Sequence, residues 1–293
     1  MKHVATLLLS LTLLLANSAG AQSLRPRLRE VVAPPARKEQ VRLYLLIGQS
    51  NMAGRGVVEA QDTVPNPRVL RLNQAGQWEV AKDPLHFDKP VAGVGPGLSF
   101  GKALAAQEKD VTIGLIPCAV GGSAIAFWEP GAFYPATNTH PYDDALARAK
   151  AAMQSGTLAG IIWHQGESDS TPTGSEAYAQ KLTELITRLR QDLQAPDVPF
   201  VAGQLPAFQI EKTDSLGRKT TNTATVRLNE AIASLARTVP HYAYISAEGT
   251  HDIGDHIHLN AASARLMGQR YARALRRLEG KARPRKGITT NKH

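Results

Sequence analysis

Four short polar segments of this 293-residue chain hold side chains able to do chemistry, and each follows an apolar run. The first, GQSNMAG, carries Ser50 between glycines. A serine at a strand end can present its hydroxyl as a nucleophile, and its backbone N–H can stabilise the resulting oxyanion. A Ser-Asn pair is also typical of a helix N-cap, so this segment alone leaves both interpretations open. Because Met52 stands where G-x-S-x-G needs its second glycine, the sequence disfavours the nucleophile elbow of α/β-hydrolases.

Two further segments offer groups that could bind an oxyanion. Gly121 and Gly122 follow an apolar run, where glycine lets a ligand approach a backbone N–H closely, although an ordinary loop also accounts for such a pair. In the segment WHQGESD, the Gln165 amide can donate to an oxyanion, and the Glu167 carboxylate can orient a histidine or bind a hydroxyl. A helix-entry loop with Asp or Ser caps is the structural alternative for this segment.

The fourth segment, THDIGDHIHLN, concentrates histidine and aspartate just before the last predicted helix. One hypothesis is a metal site that uses His256 or His258 with Asp255. The other is a triad in which Asp255 fixes the His258 imidazole, so that His258 takes the proton of Ser50. A metal would need further ligands, and the other strand ends offer few. The segment therefore favours the triad, and we expect neither a metal nor another cofactor.

The elements that must position these segments alternate along the chain. Short, almost continuously apolar runs predict buried parallel strands over 41–48, 111–117, 160–164, 200–205 and 242–246. Amphipathic stretches predict helices over 98–108, 143–154, 175–193, 223–236 and 260–278. This alternation predicts an α/β fold, a three-layer α/β/α sandwich with a five-stranded parallel sheet, in one domain over 41–278. Ligands of such sheets bind beyond the carboxyl ends of the strands, where the polar segments lie.

Composition and charge exclude several classes of protein. The chain is 43% hydrophobic, which excludes disorder, and its one cysteine, Cys118, excludes an internal disulfide. The net charge of +9 is concentrated near the ends, because residues 22–42 and 273–293 hold most of the excess Lys and Arg. Residues 43–272 carry a small net negative charge, so we expect no nucleic-acid partner. We expect a basic linker over 22–40 and a basic C-terminal tail over 279–293, both extended or disordered.

The first 21 residues have the pattern of a secretory signal peptide. A basic start precedes an apolar stretch and a small-x-small cleavage site at Ala19-Gly20-Ala21. The apolar stretch is too short to span a bilayer, which needs roughly 20 residues. We therefore expect export to the periplasm or the extracellular space, without an integral membrane segment in the mature chain. The sequence does not predict an oligomeric state.

Taken together, the segments resemble the SGNH/GDSL-like hydrolase superfamily, and most closely its sialate O-acetylesterase domains and family 6 carbohydrate esterases (acetylxylan esterases). The matching stretches are LLIGQSNMAGRG at 45–56, CAVGGSAI at 118–125, IIWHQGESD at 161–169 and DHIHLNAASARLMGQRYA at 255–272. The resemblance covers essentially the whole predicted domain. It implies a flavodoxin-like fold and metal-independent removal of O-acetyl groups from sugars.

By position, the resemblance also implies roles for single residues. Ser50 is the expected nucleophile, His258 the general base and Asp255 its orienting acid, with Glu167 as an alternative acid. The implied oxyanion hole combines the Ser50 and Gly122 amides with the Gln165 side chain. Gln165 stands where the wider superfamily has asparagine. Asn51 and Arg55, next to the nucleophile, are candidate substrate-binding residues.

The expected function is a secreted serine esterase that acts through an acyl-enzyme on an acetylated poly- or oligosaccharide. One alternative is a non-catalytic carbohydrate-binding protein on the same fold, although binding alone would not need a nucleophile. Another is a lipase or thioesterase of the wider superfamily, which would prefer long acyl chains. The sequence leaves open which glycan is deacetylated.

Overall fold

A computed structural model describes residues 29–213 and 216–282. The predicted signal peptide and residues 283–293 of the predicted tail lie outside these ranges. The strands are β1 (Val41–Gly48), β2 (Val69–Leu72), β3 (Trp78–Val80), β4 (Thr112–Pro117), β5 (Thr157–His164), β6 (Phe200–Gly203), β7 (Glu211–Thr213), β8 (Lys219–Thr221) and β9 (Tyr242–Ile245). The α-helices are α1 (Ser50–Ala53), α2 (Ala60–Thr63), α3 (Pro96–Gln107), α4 (Pro141–Ala152), α5 (Pro172–Asp192), α6 (Ala207–Ile210), α7 (Thr223–Ser234) and α8 (Ala261–Ala282).

The central sheet has the strand order β3-β2-β4-β1-β5-β6-β9. The five predicted strands correspond to β1, β4, β5, β6 and β9, which all run parallel. The sheet is nevertheless seven-stranded and mixed rather than five-stranded, because β2 extends it in parallel and β3 closes its edge in antiparallel. These two strands are short and contain Arg71 and Glu79, which interrupt any apolar run. The two charges pair across the strands at 2.9 Å, and this pairing lets both side chains be buried.

Side chains of the central strands point alternately into two apolar clusters, one on each face of the sheet. Leu43, Leu45 and Ile47 of β1 pack with α4, α5 and α7, whereas Tyr44 and Leu46 pack with α3 and α8. The three-layer α/β/α sandwich is therefore confirmed. No helix within the described ranges is long and apolar enough to cross a membrane.

The described part of the predicted basic linker packs on the domain. Next to the edge strand β3, the Val32 N–H donates to the Trp78 carbonyl at 2.9 Å, and the Val80 N–H donates to the Glu30 carbonyl at 3.0 Å. Arg29 donates to two backbone carbonyls. This segment therefore supplies hydrogen-bond partners to an otherwise open sheet edge, with Val31 bridged to Glu79 of β3.

Part of the basic C-terminal segment is helical, since α8 continues to Ala282. At this end of the domain, Arg42 and Arg276 both bind the carboxylates of Glu108 and Glu279. Several of the charges that suggested free basic ends are therefore paired on the surface of the fold.

The crossing of α3 and α8 yields a stability prediction. A Cβ on Gly268 would lie 2.0 Å from Ser99 Oγ and 2.2 Å from the Pro96 carbonyl oxygen. We expect Gly268→Ala to lower the free energy of unfolding by about 1–3 kcal/mol, measured by urea denaturation, because the two helices must separate.

Gly280 is the matched control on the same helix, because a Cβ there would meet nothing within 4 Å. Gly280→Ala should leave stability unchanged or raise it by up to about 1 kcal/mol. Equal effects of the two substitutions would contradict the close helix contact.

Candidate active site

The sheet order brings the predicted chemical segments to one edge. β1 lies between β4 and β5, so the segments that follow these three parallel strands meet at their carboxyl ends. Ser50 follows β1, Gly122 follows β4 and Gln165 follows β5. The segment with the histidines lies between β9 and α8 and reaches the same edge, where it contacts Ser50. This is the crevice in which ligands of open α/β sheets bind.

Ser50 is placed by an abrupt turn at the end of β1. Gly48 has φ +128°, and a Cβ there would lie 2.1 Å from the His164 carbonyl oxygen. Only glycine fits this combination of backbone angle and close approach to β5. Helix α1 begins at Ser50 itself, so the serine lies at a helix start and is 6% exposed.

Ser50, His258 and Asp255 form a continuous hydrogen-bonded chain. Ser50 Oγ lies 3.0 Å from His258 Nε2, and His258 Nδ1 lies 2.6 Å from Asp255 Oδ2. Because an ionised carboxylate only accepts, Nδ1 carries the proton and Nε2 is the acceptor for the serine hydroxyl. This arrangement can move a proton from serine to histidine while the carboxylate stabilises the imidazolium.

The Asp255 carboxylate also holds the histidine loop itself. Its Oδ1 accepts from the backbone N–H groups of Ile257 and His258 at 2.9 and 2.8 Å. Burial raises the pKa of Asp255, but these bonds and the His258 ring outweigh it, so the pKa ends below its ordinary value. His256, the neighbouring candidate, points elsewhere: its side chain is 78% exposed and pairs with Asp252.

Two backbone N–H groups beside Ser50 are available to an oxyanion. Within the described residues, the amides of Ser50 and Gly122 donate to no other group. Gly122 has φ +88°, and the Ser168 hydroxyl donates to its carbonyl at 2.9 Å. The turn is therefore held in a conformation that keeps the Gly122 N–H unpaired.

The structure places the Gln165 side chain beneath these backbone donors rather than among them. The residue is completely buried, and its Nε2 shares its two N–H bonds among Gln49 Oε1, the Ser123 carbonyl and Asp169 Oδ2, which lie at 3.1, 3.1 and 2.5 Å. Its Oε1 accepts from the Tyr178 hydroxyl at 2.9 Å. Gln165 thus ties the segments after β1, β4 and β5 together beneath the site.

Asn51 and Arg55 are also engaged within the protein rather than open to a substrate. The Asn51 amide is 1% exposed and bonds the backbone on both sides of His258. The Arg55 guanidinium forms a buried ion pair with Asp88 at 2.8 Å. Asp88 Oδ2 also accepts from the Gly121 N–H at 2.9 Å, so Arg55 supports the glycine turn.

The carboxylate that reaches His258 is that of Asp255, whereas Glu167 bonds Asn51 at 2.5 Å. The sequence gives no signal for Lys89, and it marks Tyr134 only as an aromatic residue that could stack on a sugar ring. A Cβ on Gly122 would lie 2.8 Å from the Tyr134 hydroxyl and 3.9 Å from Lys89 Nζ. These groups come from loops without a chemical motif, so only the folded chain reveals that they border the site.

Within the described ranges, no group of three or more His, Cys, Asp or Glu side chains could hold a metal ion. His164, one potential ligand, is buried, and burial lowers its pKa to about 4. Its Nδ1 lies 3.0 Å from the Tyr271 hydroxyl, which places it in the packing between β5 and α8.

The hydrogen bonds that run from Ser50 through His258 to Asp255 predict that substitutions of two aspartates in the same loop affect the rate unequally. We expect Asp255→Asn to lower kcat/KM for an aryl acetate by about 10²–10⁴-fold, because an amide favours the wrong histidine tautomer. Asp252→Asn is the control, since Asp252 pairs with the exposed His256, and should change the rate by less than about tenfold. Similar losses in both variants would contradict the distinct position of Asp255.

Comparison with known proteins supports a family assignment. The family model described as "Carbohydrate esterase, sialic acid-specific acetylesterase" matches residues 40–277. A "Probable carbohydrate esterase At4g34215" of Arabidopsis thaliana is 36% identical over an alignment of 180 residues that covers 54% of this chain and 66% of that protein. The chain thus spans slightly less than two thirds of the length of this curated relative.

Solved structures agree with this assignment. The X-ray structure of the Arabidopsis thaliana protein AT4G34215 has a TM-score of 0.68 at 29% identity and covers 80% of this chain and 98% of its own. Two other structures share the fold, each with a TM-score of 0.62. NanS is 15% identical, and the match covers 86% of this chain and 100% of NanS. The carbohydrate acetylesterase XAC1771 of Xanthomonas citri is 22% identical, and the match covers 83% of this chain and 57% of XAC1771. The chain therefore belongs to the carbohydrate esterase family described as sialic acid-specific acetylesterases, a family of carboxylic ester hydrolases.

Proposed function

We propose that the protein is a serine esterase that removes O-acetyl groups from carbohydrates. The observation that carries this proposal is the hydrogen-bonded chain of Ser50, His258 and Asp255 beside two unpaired backbone N–H groups. A nucleophile, a base with its orienting acid and oxyanion donors are the parts that acyl transfer needs. Family membership supports an acetylated carbohydrate as the substrate.

In the proposed reaction, Ser50 Oγ attacks the acetyl carbonyl carbon while His258 Nε2 takes the serine proton. The oxyanion accepts hydrogen bonds from the Ser50 and Gly122 amides. As the tetrahedral intermediate collapses, His258 returns the proton to the sugar oxygen, and the deacetylated sugar leaves. Water, deprotonated by His258, then attacks the acetyl-serine and releases acetate and free Ser50.

The sugar would approach over the turn that carries Gly122. Tyr134 and Lys89 border this turn with polar groups, and Phe127 packs on the Tyr134 ring with centroids 4.7 Å apart. Trp128, another aromatic residue of this loop, is completely buried and belongs to the core. We propose that Tyr134 and Lys89 contact hydroxyl or acidic groups of the sugar.

We also propose that the protein is exported, on the basis of the signal-peptide pattern over residues 1–21. An acetylated polysaccharide outside the cytoplasm would be an accessible substrate for such an enzyme.

Ser50→Ala tests the nucleophile. We expect the variant to fold normally and to lose at least about 10³-fold in kcat, because it lacks the hydroxyl that is hydrogen-bonded to His258. The measurements are aryl acetate hydrolysis and acetate release from a panel of acetylated xylan, sialosides and pectin.

Ser234→Ala is the matched control. This serine lies at the end of α7, where its hydroxyl donates to the Ala231 carbonyl, and its removal should leave turnover unchanged. Full activity of Ser50→Ala would overturn the serine mechanism. Wild-type protein that releases acetate from none of the glycans, but hydrolyses long-chain aryl esters, would overturn the carbohydrate substrate.

A further inference from the structure

The side chain of Asn51 forms hydrogen bonds with the backbone on both sides of His258. Asn51 Oδ1 accepts from the Leu259 N–H at 2.8 Å, and Asn51 Nδ2 donates to the Ile257 carbonyl at 3.0 Å. Asn51 directly follows Ser50 on α1. The amide therefore links the helix that carries the serine to the loop that carries the histidine, and fixes one relative to the other.

This link works in only one orientation of the amide. If the Asn51 group were flipped, its NH₂ would face the Leu259 N–H and its oxygen would face the Ile257 carbonyl, so both bonds would be lost. Glu167 Oε1 accepts from Asn51 Nδ2 at 2.5 Å. Because an ionised carboxylate can only accept, Glu167 selects the orientation that holds the histidine loop.

A second residue holds the same loop from another element. Gln209 of α6 donates from Nε2 to the Ile257 carbonyl at 2.6 Å. The Ile257 carbonyl thus has two amide donors, one from α1, which follows β1, and one from α6, which follows β6. Their convergence on one peptide group, beside the histidine, indicates that the position of this loop is tightly specified.

The carboxylate of Glu167 lies in surroundings that disfavour its charge. Its Oε2 is buried and has no hydrogen-bond partner among the described residues. The titratable groups around it are Asp169 of the same turn, Tyr178 of α5 and Tyr271 of α8, while Asn51 and Gln209 are neutral. Burial raises the pKa of Glu167 to about 7. The ionised form of Glu167 therefore destabilises the fold, so this carboxylate does not serve the stability of the protein.

We propose that Glu167 is a positioning residue whose carboxylate locks the Asn51 amide in the orientation that sets His258 against Ser50. This inference rests on the proposed function, since it assigns Glu167 a part in the same site. In this role Glu167 acts through Asn51 and does not contact the reacting atoms. Ionisation of Glu167 strengthens the lock, so the site is best ordered above neutral pH.

The test is Glu167→Gln, measured by the rate at which a fluorophosphonate probe labels Ser50 and by the pH profile of aryl acetate hydrolysis. At pH 8 we expect labelling and kcat to fall about tenfold, with KM unchanged, because the introduced amide no longer selects one orientation of Asn51. The ratio of the wild-type rate to the variant rate should rise as the pH increases through about 7, because only the wild type gains an ionised carboxylate beside Asn51. Glu176→Gln, which removes an exposed carboxylate on α5, should leave labelling, kcat and the pH profile unchanged.

Thermal unfolding gives a readout that does not depend on activity. The pKa of Glu167 rises from 4.5 to about 7 on folding, so wild-type stability falls as the pH increases through this window. Glu167→Gln should therefore raise the melting temperature relative to wild type at pH 8 but not at pH 4. A variant that is both more stable and slower at pH 8 fits a positioning role.

Asn51→Asp provides an independent second variant. It preserves size but replaces the donor that faces Glu167 and Ile257, so we expect labelling to fall by at least tenfold. Adding Glu167→Gln to it should recover part of the rate, because the introduced glutamine can donate to the introduced aspartate.

Three results would overturn the proposal: unchanged labelling in Glu167→Gln, a ratio of wild-type to variant rate that does not change with pH, or a loss as complete as that of Ser50→Ala. The last would make Glu167 a catalytic acid. Labelling reports the reactivity of Ser50 without an acetylated sugar, so failure of the carbohydrate substrate would leave this test intact.

Discussion

The hydrogen bond between Ser50 Oγ and His258 Nε2 is the interaction that the rest of the site depends on. It joins the first strand of the sheet to the loop before the last helix, 208 residues further along the chain. Parallel packing of β1 between β4 and β5 brings the serine to the edge of the sheet at which open α/β folds bind ligands. A reactive geometry within tenths of an ångström then requires that both the serine turn and the histidine loop be rigid.

That rigidity comes from buried polar side chains beneath the site. Gln165 ties the segments after three neighbouring strands together, and Asn51 joins the serine helix to the histidine loop. Such groups are costly to bury unless every hydrogen bond is made, so a satisfied network specifies one arrangement of the loops. Glu167, with one unpartnered oxygen, is the member whose burial costs stability. Positioning and stability are therefore opposed at this residue.

The sequence predicted the three-layer fold and the segments that meet at the site, because apolar strands and motif residues leave local signals. It did not predict β2 and β3, whose charges are buried only as the cross-strand pair of Arg71 and Glu79. It also assigned Gln165 and Asn51 to the substrate side. An amide has the same donors and acceptors whether it faces a ligand or a neighbouring loop, so residue type alone could not separate the two. Lys89 belongs to no motif, and only the fold shows that it lies near Gly122.

The most direct test of the account is mass spectrometry of the protein quenched in acid during turnover of an aryl acetate. If Ser50 is the nucleophile, one acetyl group will be found on the peptide that contains Ser50, and the acetylated peptide will accumulate when Asp255→Asn slows deacylation. Continued turnover without an acetylated peptide, or acetylation at another residue, would contradict the account.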